Sequence, residues 1–149
     1  MKTIIRKYVA AIVCLLVAST AVYASNDKPV TVSQLPKVAQ KVLRVNFGTS
    51  KVALAKMESE VFDKSYDIIF TNGDKIEFDR KGQWTEVSCK RSAVPSALVP
   101  AAIRNYIRQT YAGQKIVEIS RDSKEYEVKL SNGFEVKFDK NFRVLDIDD

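Results

Sequence analysis

Histidine is missing altogether from this 149-residue chain, and glycine is scarce. Without histidine, Ser-His-Asp and Cys-His catalysis, histidine general-base chemistry and the common zinc ligand sets are excluded. The five glycines stand singly at turn-like positions, so the sequence contains no glycine-rich phosphate-binding loop. We therefore expect no enzymatic activity, no catalytic residues, no metal site and no cofactor.

Cysteine is almost as scarce as histidine. Cys14 lies in the N-terminal segment, which leaves Cys89 alone in the rest of the chain and excludes an intramolecular disulfide there. Cys89 ends a strand-like segment, and we expect it to be a small buried hydrophobe. The alternative is a reactive thiol, which would need a positive environment such as the neighbouring Lys90 and Arg91.

The sequence has no hydrophobic run long enough to span a bilayer comfortably, which takes about 20 residues. The apolar run from Tyr8 to Val17 follows a basic start and precedes small residues that end at Ala24. This pattern is typical of a secretory signal peptide over residues 1–24. We expect cleavage near Ser25, export to the periplasm or the extracellular space, and no stable membrane insertion afterwards.

A strong excess of one charge is also missing. The chain carries 24 basic and 18 acidic residues, and without the three basic residues of the predicted signal peptide the net charge is +3. Lysines alternate with acidic residues, so we expect a mixed surface and no stripe of one sign that could build the field that nucleic acid requires. We expect no nucleic-acid partner.

What the sequence does contain is an internal repeat. The segment from Tyr66 to Asp79 matches the segment from Tyr126 to Asp139 at a constant offset of 60. Further upstream, at an offset of 64, two stretches with apolar residues at helical spacing begin with Leu35-Pro and Val99-Pro. We interpret residues 25–90 and 91–149 as two copies of one unit.

Each copy has the pattern of one helix followed by four antiparallel strands. The predicted strands run from Lys51 to Glu60, Tyr66 to Thr71, Asp74 to Asp79, Trp84 to Cys89, Lys115 to Ser120, Tyr126 to Ser131, Phe134 to Asp139 and Arg143 to Asp148. Asn72-Gly73 and Asn132-Gly133 join hairpins, because both residue types accept positive φ. In the turn before the last strand, Gly82 is expected to be left-handed in the first copy and Asn141 in the second.

The predicted fold class is α+β. Two tandem repeats, each a helix and a four-stranded antiparallel meander, share a curved sheet with both helices on one face. Alternation along the strands places Tyr66 and Tyr126 in the core under the helices. The opposite set is polar except for Ile69, and we expect it to form an open sheet face in water.

These motifs together resemble a known family. A helix that begins Leu-Pro or Val-Pro, a strand that starts with tyrosine, an Asn-Gly hairpin and a Phe-Asp-x-x-Gly-x-Trp ending look like the PepSY-like, beta-lactamase-inhibitory-protein-like proteins of bacterial envelopes. The resemblance covers residues 31–148 and implies secretion and protein binding or inhibition, with no catalytic residues. The second copy departs from the pattern, because Phe142 and Val144 replace Gly82 and Trp84.

The exposed sheet face is the surface that we expect to bind a partner. If Thr85, Val87 and Cys89 point to the core, Trp84 and Glu86 point outward beside Ile69. A tryptophan among charged residues there resembles an interface hot spot with a polar rim. The alternative is that Trp84 folds over a sheet edge and covers apolar surface. The candidate binding residues are Trp84, Ile69, Glu86, Asp67, Glu77 and Lys75.

The sequence thus predicts an exported, non-catalytic protein that binds, and by binding inhibits or modulates, another envelope or secreted protein. The alternative function is a periplasmic binder of a small ligand or peptide, with a cleft between the two copies near Lys90 to Pro95. Carboxylate pairs such as Asp67 with Glu77 would serve a glycosidase only at a suitable separation and with one raised pKa. Interleaved with lysines, they are more typical of a solvated sheet.

Overall fold

The computed structural model describes residues 26–149, so the predicted signal peptide, residues 1–24, lies outside the described part. Two helices, α1 (Lys37–Phe47) and α2 (Ala101–Thr110), each follow a short 3-10 turn and begin directly after a proline. Proline suits a helix start because its fixed φ fits the first turn and it has no N–H group to leave unpaired. Neither of these two helices has the length and apolar character needed to cross a membrane.

Nine strands form one antiparallel sheet in which each strand pairs with the next along the chain. In order they are β1 (Lys28–Pro29), β2 (Val52–Ser59), β3 (Lys64–Phe70), β4 (Lys75–Asp79), β5 (Trp84–Ser88), β6 (Ile116–Arg121), β7 (Glu125–Leu130), β8 (Glu135–Asp139) and β9 (Val144–Asp148). The eight predicted strands are confirmed to within two residues at each end, and β1 was not predicted. The predicted mixture of helices and an antiparallel sheet is confirmed.

One row of apolar side chains crosses the sheet and forms the middle of the core. Strand pairing connects, from β2 to β8, Ala55, Ile68, Ile76, Val87, Ile119, Val128 and Val136. Directly paired residues of antiparallel strands point to the same face. All seven are buried, so this row defines the core face of the sheet.

Both helices pack on the core face, as the helical spacing of their apolar residues predicts. Phe47 of α1 stacks on Phe70, with ring centroids 4.8 Å apart. Tyr106 of α2 packs edge-on against Phe138 at 5.5 Å between centroids. Buried residues of both helices and of β2 to β8 belong to one continuous hydrophobic cluster, which accounts for the stability of the sheet.

A β-bulge between β4 and β5 turns Trp84 toward the core face. Glu77 pairs with Glu86, but the next residue, Phe78, pairs with Trp84, which leaves Thr85 as the extra residue. Trp84 therefore shares a face with buried Phe78 and is only 6% exposed. The prediction that Trp84 points outward with Glu86 is wrong, because strict alternation of side chains does not hold across a bulge.

Arg121, at the end of β6, covers the Trp84 ring. Its guanidinium carbon lies 3.7 Å from the centroid of the indole, which is cation–π geometry. Its Nε donates a hydrogen bond of 2.8 Å to the backbone oxygen of Trp84. Burial lowers the pKa of this guanidinium, and nearby Tyr126 opposes the effect. The contact joins the two halves of the chain on the core side of the sheet.

The hairpin turns are confirmed, but their geometry differs from the prediction. Only the glycine of each Asn-Gly pair has a positive φ, 90° at Gly73 and 96° at Gly133. The N–H of Phe70 donates to the oxygen of Asp74, so the first loop holds three residues. Asn72 instead accepts a hydrogen bond of 3.0 Å from the N–H of Asp74 through its side-chain oxygen.

The turns before β5 and β9 each contain one left-handed residue, Gly82 with a φ of 82° and Phe142 with a φ of 62°. The prediction of Asn141 for this conformation is wrong. The Phe142 ring packs on Tyr126 at 5.6 Å between centroids, and this contact offsets the backbone strain. At Gly82 an added Cβ would lie 2.8 Å from the Cβ of Pro36, so α1 approaches this turn closely.

Replacing Gly82 by alanine should lower the free energy of unfolding by about 2–4 kcal/mol, because left-handed strain and overpacking act together. Gly133→Ala is the matched control, since Gly133 also has a positive φ but an added Cβ there meets nothing within 4 Å. Only the strain applies in the control, about 1–2 kcal/mol. Urea unfolding of both variants measures the difference, and equal losses would contradict the close approach of α1.

Trp84→Ala should destabilise the protein by about 3–5 kcal/mol, the usual cost of truncating a buried aromatic side chain. Phe62→Ala is the control, because Phe62 is 92% exposed and its removal should change stability by no more than about 0.5 kcal/mol. Trp84 is the one tryptophan of the chain, so the variant has no tryptophan fluorescence and its unfolding is followed by circular dichroism. A Trp84→Ala variant as stable as the wild type would contradict the buried position.

Candidate functional site

The side of the sheet opposite the helices carries two complete rows of mostly charged side chains, which we call the outer face. The first row contains Lys56, Asp67, Glu77, Glu86, Ser120, Glu127, Lys137 and Asp146. The second row contains Leu54, Ile69, Lys75, Ser88, Glu118, Lys129, Glu135 and Asp148. These residues alternate with the core residues along the strands, which confirms the predicted separation of two faces.

The outer face is acidic although the chain is basic. Its two rows hold four lysines and eight carboxylates, a net charge of −4. Residues 25–149 together carry a net charge of +3, so the remaining surface holds the excess of basic residues. The sequence predicts a mixed surface, and lysines do lie among the carboxylates of both rows. The excess of carboxylates was not predicted, because charges from eight strands meet only in the folded sheet.

Five of the six candidate binding residues lie on the outer face, namely Asp67, Ile69, Lys75, Glu77 and Glu86. The Lys75 ammonium lies 3.6 Å from a carboxylate oxygen of Asp67 and 3.7 Å from one of Glu77. Trp84 is separated from them, on the core face. The sequence therefore identified a group of neighbouring residues and assigned one member to the wrong side.

Asp67 is the most enclosed residue of this group. It is 5% exposed, and the ammonium groups of Lys56 and Lys75 lie 3.4 and 3.6 Å from the same carboxylate oxygen. Lys56 donates hydrogen bonds to Glu58 and to Asp27, and these two bonds, with the Glu58 bond the stronger cause, raise the pKa of the lysine. The expectation of a bare Asp67 is wrong, because long lysine side chains lie along the sheet and cover it.

Glu86 lies near the middle of the sheet, paired with Glu77 on one side and with Ser120 on the other. Burial is the main cause that raises the pKa of the Glu86 carboxyl. Lys75 opposes this effect, whereas the negative charges of Glu118 and Glu77 add to it. No ion pair among residues 26–149 includes Glu86 or Glu118. Glu86 and Glu118 therefore leave negative charge without a paired cation at the centre of the outer face.

Two carboxylates in the second half of the outer face are paired with lysines. Lys129 lies 2.6 Å from Glu135, and Lys137 lies 3.6 Å from Glu127. The hydrogen bond to Lys129 lowers the pKa of the Glu135 carboxyl. The carboxylates are spread along the strands, and the described residues contain no group of three or more His, Cys, Asp or Glu side chains placed to hold a metal ion.

Exposed apolar side chains interrupt the charged surface in two places. Leu54 and Ile69 are directly paired on the outer face, and Leu54 is exposed. A second site is the tip of the β2–β3 hairpin, where Val61 and Phe62 project into solvent. In the hairpin of β2 and β3, two further residue pairs lie beyond the pair of Met57 and Tyr66, and the loop of residues 60–63 follows them. In the hairpin of β6 and β7, the equivalent pair of Arg121 and Tyr126 is the last one, so the first hairpin is longer.

Two pockets lie near the junction of the halves. One of about 360 Å³ is lined by Trp84 of the first half and by Arg121, Tyr126 and Lys140 of the second half. Another of about 230 Å³ lies between Val94 and α2. The cleft predicted near Lys90 to Pro95 corresponds to this second pocket, which is bounded by one half rather than by both.

Cys89 is buried beside the core row, as predicted for a packing residue. Burial, together with the nearby Asp74 carboxylate, raises the pKa of its thiol to about 12. A thiolate is the reactive form of cysteine, so this environment opposes reactivity. The alternative of a reactive thiol activated by its basic neighbours is therefore wrong.

Comparison with known proteins places these observations in a family. The family model described as "Putative beta-lactamase-inhibitor-like, PepSY-like" matches residues 64–146. Comparison with the curated proteins gave no significant match.

Several solved structures are similar to this chain over nearly their whole length. A "putative periplasmic protein from DUF2874 family" of Bacteroides vulgatus is 59% identical, with a TM-score of 0.83, over 85% of this chain and 99% of that one. A "putative calcium-regulated periplasmic protein" of Bacteroides thetaiotaomicron is 54% identical, with a TM-score of 0.82, over 83% and 98%. A "putative periplasmic protein of unknown function" of Bacteroides vulgatus is 39% identical, with a TM-score of 0.78, over 83% and 100%. The family match, the sequence identity and the shared fold agree, and this chain belongs to the PepSY-like family.

Proposed function

We propose that this protein is an exported, non-catalytic binding protein whose outer face binds a basic surface of another exported protein. The observation that carries the proposal is the net charge of −4 on the outer face, although residues 25–149 together carry a net charge of +3. Complementary potentials increase the rate of encounter and select the partner. If the partner is an enzyme, a protein bound over its active site inhibits it by occlusion.

The location follows from two observations. Relatives that are 59% and 54% identical to this chain are described as periplasmic. The basic start and apolar run of residues 1–24 have the pattern of a secretory signal peptide. An exported partner is the kind of protein that this chain would meet in that compartment.

Glu86 supports a binding role because its charge is kept at a cost to stability. Its pKa in the folded protein is raised, mainly by burial. At a pH above its unfolded pKa, the ionised carboxylate therefore disfavours the folded state. A glutamine at this position would remove that cost, and unfavourable charges retained in a fold are concentrated at functional sites.

The outer face also has the layout of an interface. Exposed Leu54 and its half-buried partner Ile69 offer apolar contact, and charged residues such as Lys75 lie beside them. Interfaces commonly combine an apolar centre with a polar rim. The hydrogen-bonded sheet holds these side chains in fixed positions, so little conformational entropy is lost on binding.

The two halves of the chain, residues 25–90 and 91–149, are on this proposal two copies of one helix-plus-four-strand unit. A 3-10 turn and a proline precede the helix in each half. The bulges in β2 and β6 occur at matching places. The bulge between β4 and β5 likewise matches the one between β8 and β9. Their ion pairs differ: on the outer face of the first half Lys56 and Lys75 share Asp67, whereas in the second half Lys129 pairs with Glu135 and Lys137 with Glu127.

A second candidate function is binding of a small ligand or peptide in the pocket between the halves. This pocket has a volume of about 360 Å³ and is lined by two cations, Arg121 and Lys140, two carboxylates, Asp79 and Asp122, and two aromatic side chains, Trp84 and Tyr126. That size is at the lower end for small-molecule sites. A small zwitterionic aromatic compound suits this lining, and saturating amounts should raise the melting temperature of the protein but not of an Arg121→Gln variant.

Neutralising the acidic centre should weaken partner capture. A variant with Glu77→Gln, Glu86→Gln and Glu118→Gln should retain roughly tenfold less of the main protein captured from a native envelope extract, because complementary charge pairs are lost. The control carries Glu60→Gln, Asp63→Asn and Asp149→Asn, the same change in net charge at exposed positions outside the two rows. The wild type should retain proteins with basic surfaces, and equal capture by both variants would contradict the proposal.

Glu86→Gln should raise the free energy of unfolding at about pH 7 and have little effect at about pH 3.5, where the carboxyl is protonated in both states. Glu135→Gln is the control with the opposite sign, because its hydrogen bond to Lys129 lowers the pKa of the Glu135 carboxyl. That ion pair stabilises the fold at neutral pH and is lost as the pH falls through the folded pKa. Urea unfolding at the two pH values tests both signs, and a destabilising Glu86→Gln would contradict the cost assigned to Glu86.

A further inference from the structure

The two edges of the sheet differ in how they are protected. β1 has only two residues, and one of them is Pro29. A short edge strand that contains proline discourages the addition of another strand. β9 has five residues, contains no proline and is exposed throughout. Within the described residues, β9 pairs with β8 alone, so the backbone groups on its far side point to solvent.

The exposed edge continues the core row of the sheet. Ile147 pairs with Val136, and Val144 pairs with Phe138, so both point to the core face. Val136 and Phe138 are fully buried, whereas Val144 and Ile147 are 37% and 45% exposed. The apolar row therefore runs to β9 and ends there without a cover. Edge strands are usually protected against the addition of another strand, and exposed apolar side chains on the core face do not protect β9.

The same sheet shows how such an edge is filled. β5 follows β4 through a bulge, just as β9 follows β8, and Val87 of β5 faces Ile76 as Ile147 faces Val136. β6 adds to the far side of β5 as an antiparallel strand, with Ile119 opposite Val87. The other two pairs of this junction are Glu86 with Ser120 and Ser88 with Glu118. The corresponding positions of β9 are Asp146, Ile147 and Asp148.

We propose that β9 is a docking edge for an extended segment of another protein, which adds as a tenth antiparallel strand and alternates basic with apolar residues. Its apolar residue would cover Ile147 as Ile119 covers Val87. Its basic residues would lie opposite Asp146 and Asp148, which point to the outer face. Backbone hydrogen bonds supply affinity in this mode of recognition, and alternate side chains supply specificity. The inference does not rest on the acidic centre around Glu86.

A second copy of this chain is a poorer occupant of the edge. Two β9 strands can pair antiparallel with their apolar residues on the core face in two ways. If Ile147 faces itself, Asp146 lies opposite Asp148 of the other copy. If Asp146 is at the centre, it lies opposite itself. Like charges directly opposite each other destabilise a strand pair, so charge complementarity favours a basic segment of a different protein.

The probe is a peptide with the sequence of residues 115–122, the strand that already fits β5, carrying Glu118→Lys and Ser120→Lys. With Ile119 opposite Ile147, its two lysines lie opposite Asp148 and Asp146. The unsubstituted peptide places Glu118 opposite Asp148 and should bind roughly tenfold more weakly. Fluorescence anisotropy of the two labelled peptides with the complete protein measures the ratio, and equal affinities would overturn the proposal.

Charge reversal on the protein provides the matched test. Asp146→Lys with Asp148→Lys should invert the order of the two peptides, and the exposed position of β9 leaves the fold unaffected. Glu60→Lys with Asp63→Lys makes the same change of net charge at the hairpin tip and should preserve the order. The proposal is overturned if both variants respond alike, or if the wild-type protein dimerises through β9 instead of binding the peptide.

Hydrogen exchange separates this site from the outer face. Binding of the lysine peptide should slow amide exchange in β9 and leave β1 unchanged. If protection instead appears around Glu86 without any change in β9, the docking edge is disproved while the outer face gains support. If β9 is protected and the Glu77, Glu86 and Glu118 variant binds the peptide normally, the edge acts independently of the proposed function.

Discussion

The pairing of β5 with β6 is the constraint on which the rest of the structure depends. Three residue pairs join the two halves into one sheet, and their middle pair, Val87 and Ile119, is completely buried. On the outer face the same junction brings Glu86 next to Glu118, whose carboxylate accepts a hydrogen bond from Ser88. Continuity of the core and concentration of negative charge are therefore two results of one strand register, and neither can change without the other.

Because the chain has no histidine and the thiol of Cys89 is buried, we propose that the junction serves recognition rather than catalysis. Its polar side chains are fixed in rows by backbone hydrogen bonds, and their chemical character is charge rather than reactivity. Membership of the PepSY-like family is consistent with this but does not determine the activity, because one fold supports many functions. At Glu86, burial raises the pKa of a carboxyl that faces solvent on one side, which is a cost to stability at neutral pH.

Local patterns in the sequence were enough to predict the helices, eight strands and the placement of five of the six candidate residues on the outer face. Alternation and Asn-Gly turns act over a few residues, so they can be recognised without knowledge of the fold. Trp84 was misplaced because a bulge is set by the partner strand. The contact of Arg121 with Trp84 spans 37 positions, and the enclosure of Asp67 by Lys56 and Lys75 requires three strands. Such features depend on register between distant segments, which periodicity does not encode.

The long β2–β3 hairpin makes the first half of the sheet different from the second. Val61 and Phe62 project at its tip, whereas the corresponding turn between β6 and β7 is shorter and polar, with Asp122 accepting hydrogen bonds from Lys124 and Glu125. One half of the sheet therefore carries a projecting apolar tip, and the other half carries a short polar turn at the equivalent place. Although the two halves share a common plan, they do not present equivalent surfaces.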